Sequence, residues 1–291
     1  MAQKSSSRRT NRRKRLLKRY TTLFLASFAV CICCAGVSIR ILMEERDAAS
    51  TNRSARALML SGAQAENVQD GAVLLADGVE AGTISSDFTE LAAANADLIG
   101  WVTAGAAIDL PVVQGADNVI YLNRDFYGGS NSAGSIFMDA ENSVSDDHLV
   151  IYGHNMKSGS MFGQLPNYRQ LDYLKQYPIV QFRTIYQSAA EAGCVPFAVF
   201  DASMDAGDAD YFSIRQFNFD GDEARQAFID ELKSRSIFNI PVDVDASDQL
   251  VSLVTCSYSN DDGRFILAMR RLRDGEDAQT LAAIVAQSVQ K

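Results

Sequence analysis

A run of twenty uncharged residues, Tyr20 to Ile39 (YTTLFLASFAVCICCAGVSI), bounded by Arg19 and Arg40, constrains this chain more than any other feature. As an α-helix it reaches about 30 Å, the thickness of a bilayer core, so it reads as a membrane span. Nine cations precede it (Lys4, Arg8, Arg9, Arg12, Arg13, Lys14, Arg15, Lys18, Arg19) with no acid among them, and only Arg40 and Arg46 follow closely. The positive-inside rule then keeps residues 1–19 in the cytoplasm, makes residues 20–43 a single-pass signal anchor of the cell membrane, and sends the rest outside. The run exceeds a usual cleaved signal core, and no convincing small-x-small cleavage site follows it. Cys31, Cys33 and Cys34 read as small apolar filler within the span.

Charge bounds what the exterior part can do. Nine of the 27 Lys and Arg residues lie in the first twenty positions, which leaves 18 against all 36 Asp and Glu. So acidic a body does not neutralise phosphates, and nucleic acid is excluded as its partner. With 47% apolar and 22% charged residues the chain is too hydrophobic for disorder and long enough to bury a core.

Residues 44–86 are rich in Ala, Ser, Asn, Gly and acid, with short apolar patches, and read as a partly helical extracellular stalk. The folded domain is expected over 87–291. Asp87 caps a helix with Glu90 three residues on, and Phe88, Leu91, Ala92 and Ala96 fall on its inner face. Eight short strand-like runs follow: LIGWV, LPVVQ, SIFMD, HLVIY, IVQFRTIYQ, CVPFAVFDA, QLVSLVTC and RFILAMRRL. They predict a mainly β domain, a barrel or sandwich. Helical insertions are expected near Met161 to Tyr177 and over Asp222 to Ser236, and a C-terminal helix over Glu276 to Gln290.

Chemistry is confined by scarcity. There are two histidines, and the exterior holds two cysteines, Cys194 and Cys256. Cys194 sits within the apolar run GCVPFAVF and reads as a packed thiol. Cys256 ends a strand at the polar segment SYSNDDG, where a reactive side chain can be carried. A Cys–His nucleophile needs one of the histidines. His148 opens a strand and His154 stands just beyond its end, in IYGHNMKSGSMFG, so the two occupy opposite ends and one alone serves a given site. A histidine on an apolar strand is as readily structural. Arg264 adds context: SYSNDDG suits a hairpin connection, which would bring Arg264 beside Cys256, able to stabilise an oxyanion and hold a peptide backbone. Asp205, Asp208 and Asp210 are read as a solvated loop rather than a calcium site, since no distal Glu matches them. A Cys–His wall-peptide hydrolase and a noncatalytic anchored binding module are the alternatives.

Together these segments resemble the class B sortases. The likeness runs from about Asp97 to Leu272 through DLIGWV, DLPVVQGADNVIYLNRDF, AGSIFMDAEN, HLVIYGHNMKSGSMFGQL and SLVTCSYSNDDGRFILAMRRL. Ser252 stands at the first position of the family's T-L-x-T-C pattern, and Ser257 where some members carry an acid. The resemblance implies an eight-stranded sortase barrel with an N-terminal helix, a helix in the connection before the cysteine strand (Asp222 to Ser236) and a C-terminal helix. It implies a cysteine transpeptidase with His154, Cys256 and Arg264 as active site and no metal or other cofactor. Asn118, Leu122 and Thr255 are expected to line the groove for a sorting signal. The implied partners are surface proteins of a Gram-positive cell and an acceptor amine from a wall precursor or a pilin.

Overall fold

A computed structural model describes residues 2–64, 84–187, 191–256 and 263–291, with the side chains of 2–19, 63, 64 and 256 outside the description. It divides into two compact units, Met1–Arg46 and Asp47–Lys291. Helix α1, Ala2–Gln64, runs through both. In the first unit the side chains of residues 20–43 are exposed, and α1 is long and apolar enough there to cross a membrane.

The second unit is a closed eight-stranded barrel in the order β1-β2-β3-β4-β8-β9-β6-β5. Its strands are β1 Leu98–Ala104, β2 Ile108–Val113, β3 Ile136–Met138, β4 His148–Gly153, β5 Val180–Thr184, β6 Gly193–Ser203, β8 Leu250–Cys256 and β9 Gly263–Arg271. Each coincides with one of the expected runs. The β2–β3 and β4–β8 pairs are parallel, and the remaining pairs are antiparallel. Closure removes every free edge.

The helices depart from expectation in detail. Helix α2 covers only Thr89–Ala94, and Asp87 does not cap it. Its carboxylate instead bonds Arg183, 2.7 Å away, whose guanidinium lies over the Phe88 ring. Asn95 stops the helix: its amide bonds the Phe126 carbonyl and Asp97 N–H, so Ala96 leaves the buried face and is exposed. The insertion after β4 is a 3₁₀ turn, Leu165–Arg169, followed by α3, Leu171–Gln176. Helix α4, Asp222–Arg235, lies in the connection before the cysteine strand as expected. It has acids in its first turn, bases in its last, and Phe228, Ile229 and Leu232 in the main core. At the C-terminus α5 spans Ala278–Val285, capped by Asp277. The chain then becomes a strand, β10 Val289–Gln290, which pairs with β7 Phe238–Asn239 instead of prolonging the helix.

Residues 65–83 of the expected stalk lie outside the described residues. The part that is described, Asp47–Gln64, is helical and belongs to the barrel unit. Ala48 and Ala55, two turns apart, are buried against it; Arg56 bonds Asp109 at 2.8 Å, and Asp109 also receives the Trp101 indole N–H at 2.6 Å. Alanine at these positions lets the helix approach closely, a signal that polar composition hides. Ala55→Leu should therefore overpack this contact and lower the unit's stability by about 1–3 kcal/mol, while Ala57→Leu, on the exposed side, should change it by less than about 0.5 kcal/mol. Denaturation of both variants of the full chain in detergent checks this. Equal effects would show that residues 47–64 do not pack.

Candidate active site

The site is set by where β4 stops. Gly153, its last residue, has no room for a side chain, because a Cβ there would lie 2.4 Å from Ile136 Cδ1 and 2.7 Å from the Phe162 ring. His154 follows. Its carbonyl accepts the Phe162 N–H at 3.0 Å, and Asn155 bridges to Met161, closing the loop on itself. Met161 completes the turn with φ of 51°, the left-handed region, held there with its side chain buried.

The His154 ring is half-buried, and its Nε2 lies 2.8 Å from the Leu122 carbonyl oxygen. A carbonyl only accepts, so Nε2 carries the proton. Proton exchange with a reacting group therefore falls to Nδ1. Leu122 belongs to the 3₁₀ turn Ile120–Leu122 and holds the histidine through its backbone.

Strand register brings the other two residues to the same rim. In the parallel β4–β8 pair Gly153 stands opposite Thr255, so the next residues along are His154 and Cys256. In the antiparallel β8–β9 pair Cys256 stands opposite Arg264. Arg264 is half-buried and bonds its neighbour Gly263's carbonyl at 2.9 Å. The connection between them, residues 257–262, lies outside the described residues.

The expected groove residues divide. Leu122 is half-buried beside His154. Asn118 is engaged inside the protein: its Oδ1 accepts the Ala140 N–H at 2.7 Å. Thr255 is buried at the rim end of β8, one residue before Cys256.

Asp139 is the residue that sequence reasoning passed over, noting it only as the end of SIFMD. Fully buried, it accepts from Arg215 Nε at 2.8 Å and Nη2 at 3.0 Å, from the Tyr152 hydroxyl at 3.0 Å and from the Glu141 N–H at 3.1 Å. Burial alone would raise its carboxyl, but these donors with Asn118 hold it below the ordinary carboxylate range. Burial and the facing Asp139 charge push the Tyr152 phenol far up, so it stays a donor.

The other candidate groups are structural. Cys194 is buried, and burial pushes its thiol up. His148 is fully buried: its Nδ1 donates to the Gln216 carbonyl at 2.8 Å, its Nε2 accepts from Ser252 Oγ at 2.9 Å, and its ring packs on Phe228. Burial lowers it to about 4 from 6.5, and Arg225 adds to the effect. The unfolded chain thus takes up this proton first, and stability falls as pH drops from about 6.5 to about 4, by up to roughly 3 kcal/mol. Urea titrations of the full chain across that window check this. His148→Asn should flatten the slope, and an unchanged slope would put the proton elsewhere.

No family model matches the chain. It is 30% identical over 194 residues to sortase B of Listeria monocytogenes, covering 64% of this chain and 74% of that protein. It is 29% identical over 195 residues to sortase B of Staphylococcus aureus, covering 65% and 76%. The fold matches that of sortase B from B. anthracis with a TM-score of 0.64 at 24% identity, over 80% of this chain and all of that one.

Proposed function

Because the chain belongs to the class B sortases, and is accordingly a cysteine transpeptidase, we propose that it cleaves a C-terminal sorting motif of surface proteins after Thr and joins the Thr to an amine. The observation that carries this assignment of residues is the register at the barrel rim: His154 and Cys256 each follow the Gly153–Thr255 pair, and Cys256 opposes Arg264.

In this scheme the Cys256 thiolate adds to the Thr carbonyl, and the resulting oxyanion is met by the guanidinium of Arg264, a charge present before the reaction begins. Collapse breaks the C–N bond. His154, which holds on Nδ1 the proton lost by the Cys256 thiol, delivers it to the departing amine, which leaves a thioacyl enzyme. An incoming amine then adds to the thioester, His154 takes its proton, and the thiolate is expelled as the new amide forms. The Leu122 carbonyl keeps the ring oriented throughout. Leu122 itself offers the sorting peptide an apolar wall.

The same reading gives the address. Residues 20–43 anchor the enzyme in the membrane with 1–19 in the cytoplasm, and the catalytic unit works outside, where exported proteins meet wall precursors or pilin subunits that supply the amine.

Product analysis by mass, with sorting-motif peptides and a panel of primary amines, tests the proposal. Water, at about 55 M, competes for the thioester unless the site positions the amine better. Amine should therefore divert product from free acid to amide, Cys256→Ala and His154→Ala should abolish both products, and His148→Ala should retain turnover wherever it remains folded. Free acid alone, whatever amine is supplied, would favour the hydrolase. Arg264→Lys should lose at least about tenfold in turnover, since one ammonium does not reproduce a planar fork of donors. Near-normal turnover in that variant would remove Arg264 from the mechanism.

A further inference from the structure

Among the described residues Met161 is the one residue other than glycine with a positive φ. It ends the loop that begins at His154. It bridges to Asn155, and the next N–H along, that of Phe162, returns to the His154 carbonyl at 3.0 Å. Left-handed backbone suits glycine or asparagine, so a methionine stays there only if its surroundings fix it. Met161 is 4% exposed and shares a core cluster with Phe162, Leu165 and, from α1, Ala48. One turn past Ala48, Asn52 donates from Nδ2 to the Met161 sulfur at 3.7 Å. A row of small residues lets the helix come this close. Ala48, Ala55 and Gly62 follow one another at seven-residue intervals, which keeps them on one helical face. Both alanines are buried, and a Cβ on Gly62 would lie 2.6 Å from the Asp87 carbonyl oxygen. Beside this face Arg56 pairs with Asp109 at 2.8 Å, and Ser61 Oγ donates to Glu90 at 3.2 Å.

We propose that the barrel-bound end of α1, residues 47–64, is a positioning element of the active site: Asn52 grips the Met161 side chain and so holds the turn that closes on His154. This rests on His154 as the acid–base group of the transpeptidase. Asn52 and Met161 are positioning residues, acting through the turn and not on the reacting atoms. A displacement of about 1 Å at a reacting group can cost a hundredfold in rate, so a small loosening of the turn is felt in the chemical steps. Peptide binding depends on the groove walls and is touched less. In the anchored enzyme this prop follows residues 20–43 along the same helix, so the segment that leaves the membrane also completes the site.

The test uses the full chain in detergent micelles and three variants: Asn52→Leu, which removes the donor and keeps a branched side chain of similar size, Met161→Leu, which removes the sulfur, and the two combined. Each single change should lower kcat about five- to tenfold with KM moved less than about twofold. The double variant should lose no more than the worse single, because both changes break one contact, whereas losses that multiply would make the residues independent and overturn the proposal. With two histidines in the whole chain, ring resonances of histidine-labelled protein give a second readout. Those of His154 should move in both single variants while those of His148, at the far end of β4, stay in place. If Asn52→Leu shifts His148 as well, the barrel has been damaged, and Met161→Leu decides alone. Unmoved His154 resonances overturn the proposal even where turnover falls, and so does an equal loss of kcat in Ala57→Leu, on the exposed side of the helix. A wild-type chain that transfers no peptide to any amine defeats the transpeptidase assignment, yet the His154 resonances still decide whether α1 holds the loop.

Discussion

The parallel ladder between β4 and β8, from His148 opposite Leu250 to Gly153 opposite Thr255, decides which side chains meet at the barrel rim. Side chains alternate along a strand, so a slip of one residue would turn the buried Thr255 out. Parallel neighbours cannot be joined by a hairpin. The chain must leave β4, build β5, β6 and α4, and return before the cysteine strand can be laid down, which makes the site the product of distant pairing.

What holds that register lies at the far end of the ladder. Arg225 of α4 donates to the carbonyls of Asp147 and Asp248, the residues just before β4 and just ahead of β8, and pairs with the Asp147 carboxylate at 3.0 Å. Gln249 reaches the carbonyls of Val144 and Asp146 at 3.0 and 2.7 Å, and Leu250 N–H bonds the Asp147 carbonyl at 2.8 Å. Midway, the His148–Ser252 bond ties the two strands through their side chains. Below this end, Arg270 is buried with both arms on Glu276, and Arg273 gathers Asp243, Asp245 and Asp248. The helix before the cysteine strand is therefore a clamp on register as well as a cover for the core.

The eight strands were legible because each is a short apolar run closed by turn residues, and burial of such a run depends on its own composition. Cys256 and Arg264 were legible as a hairpin pair for the same reason, and His154 as a strand-end histidine. What escaped were choices among polar partners. Asp87 suits a cap by spacing, but Arg183, distant in sequence, competes for its carboxylate and wins with a shorter, charged contact. Asn118 looks available to a ligand, yet its amide oxygen already accepts the Ala140 N–H. Ala48 and Ala55 carry no periodic apolar signal, because close approach of a helix is marked by small size.

One strand begins with a buried histidine and is followed at its end by a half-exposed one, and burial is what separates them. His148, Val150, Tyr152 and, beyond the strand end, His154 succeed one another at the two-residue spacing that keeps side chains on one face. The face is covered unevenly. Phe228 of α4 closes over His148, which is left with two neutral partners and no water, so it remains uncharged. Toward the other end the cover changes from aromatic to polar, with the Tyr152 hydroxyl already turned to Asp139. At His154 the ladder has ended, and the half-open ring bonds the Leu122 backbone carbonyl. A group that must gain and lose a proton needs solvent or substrate on one side and a fixed partner on the other. The last position of this face meets that condition, and the first does not.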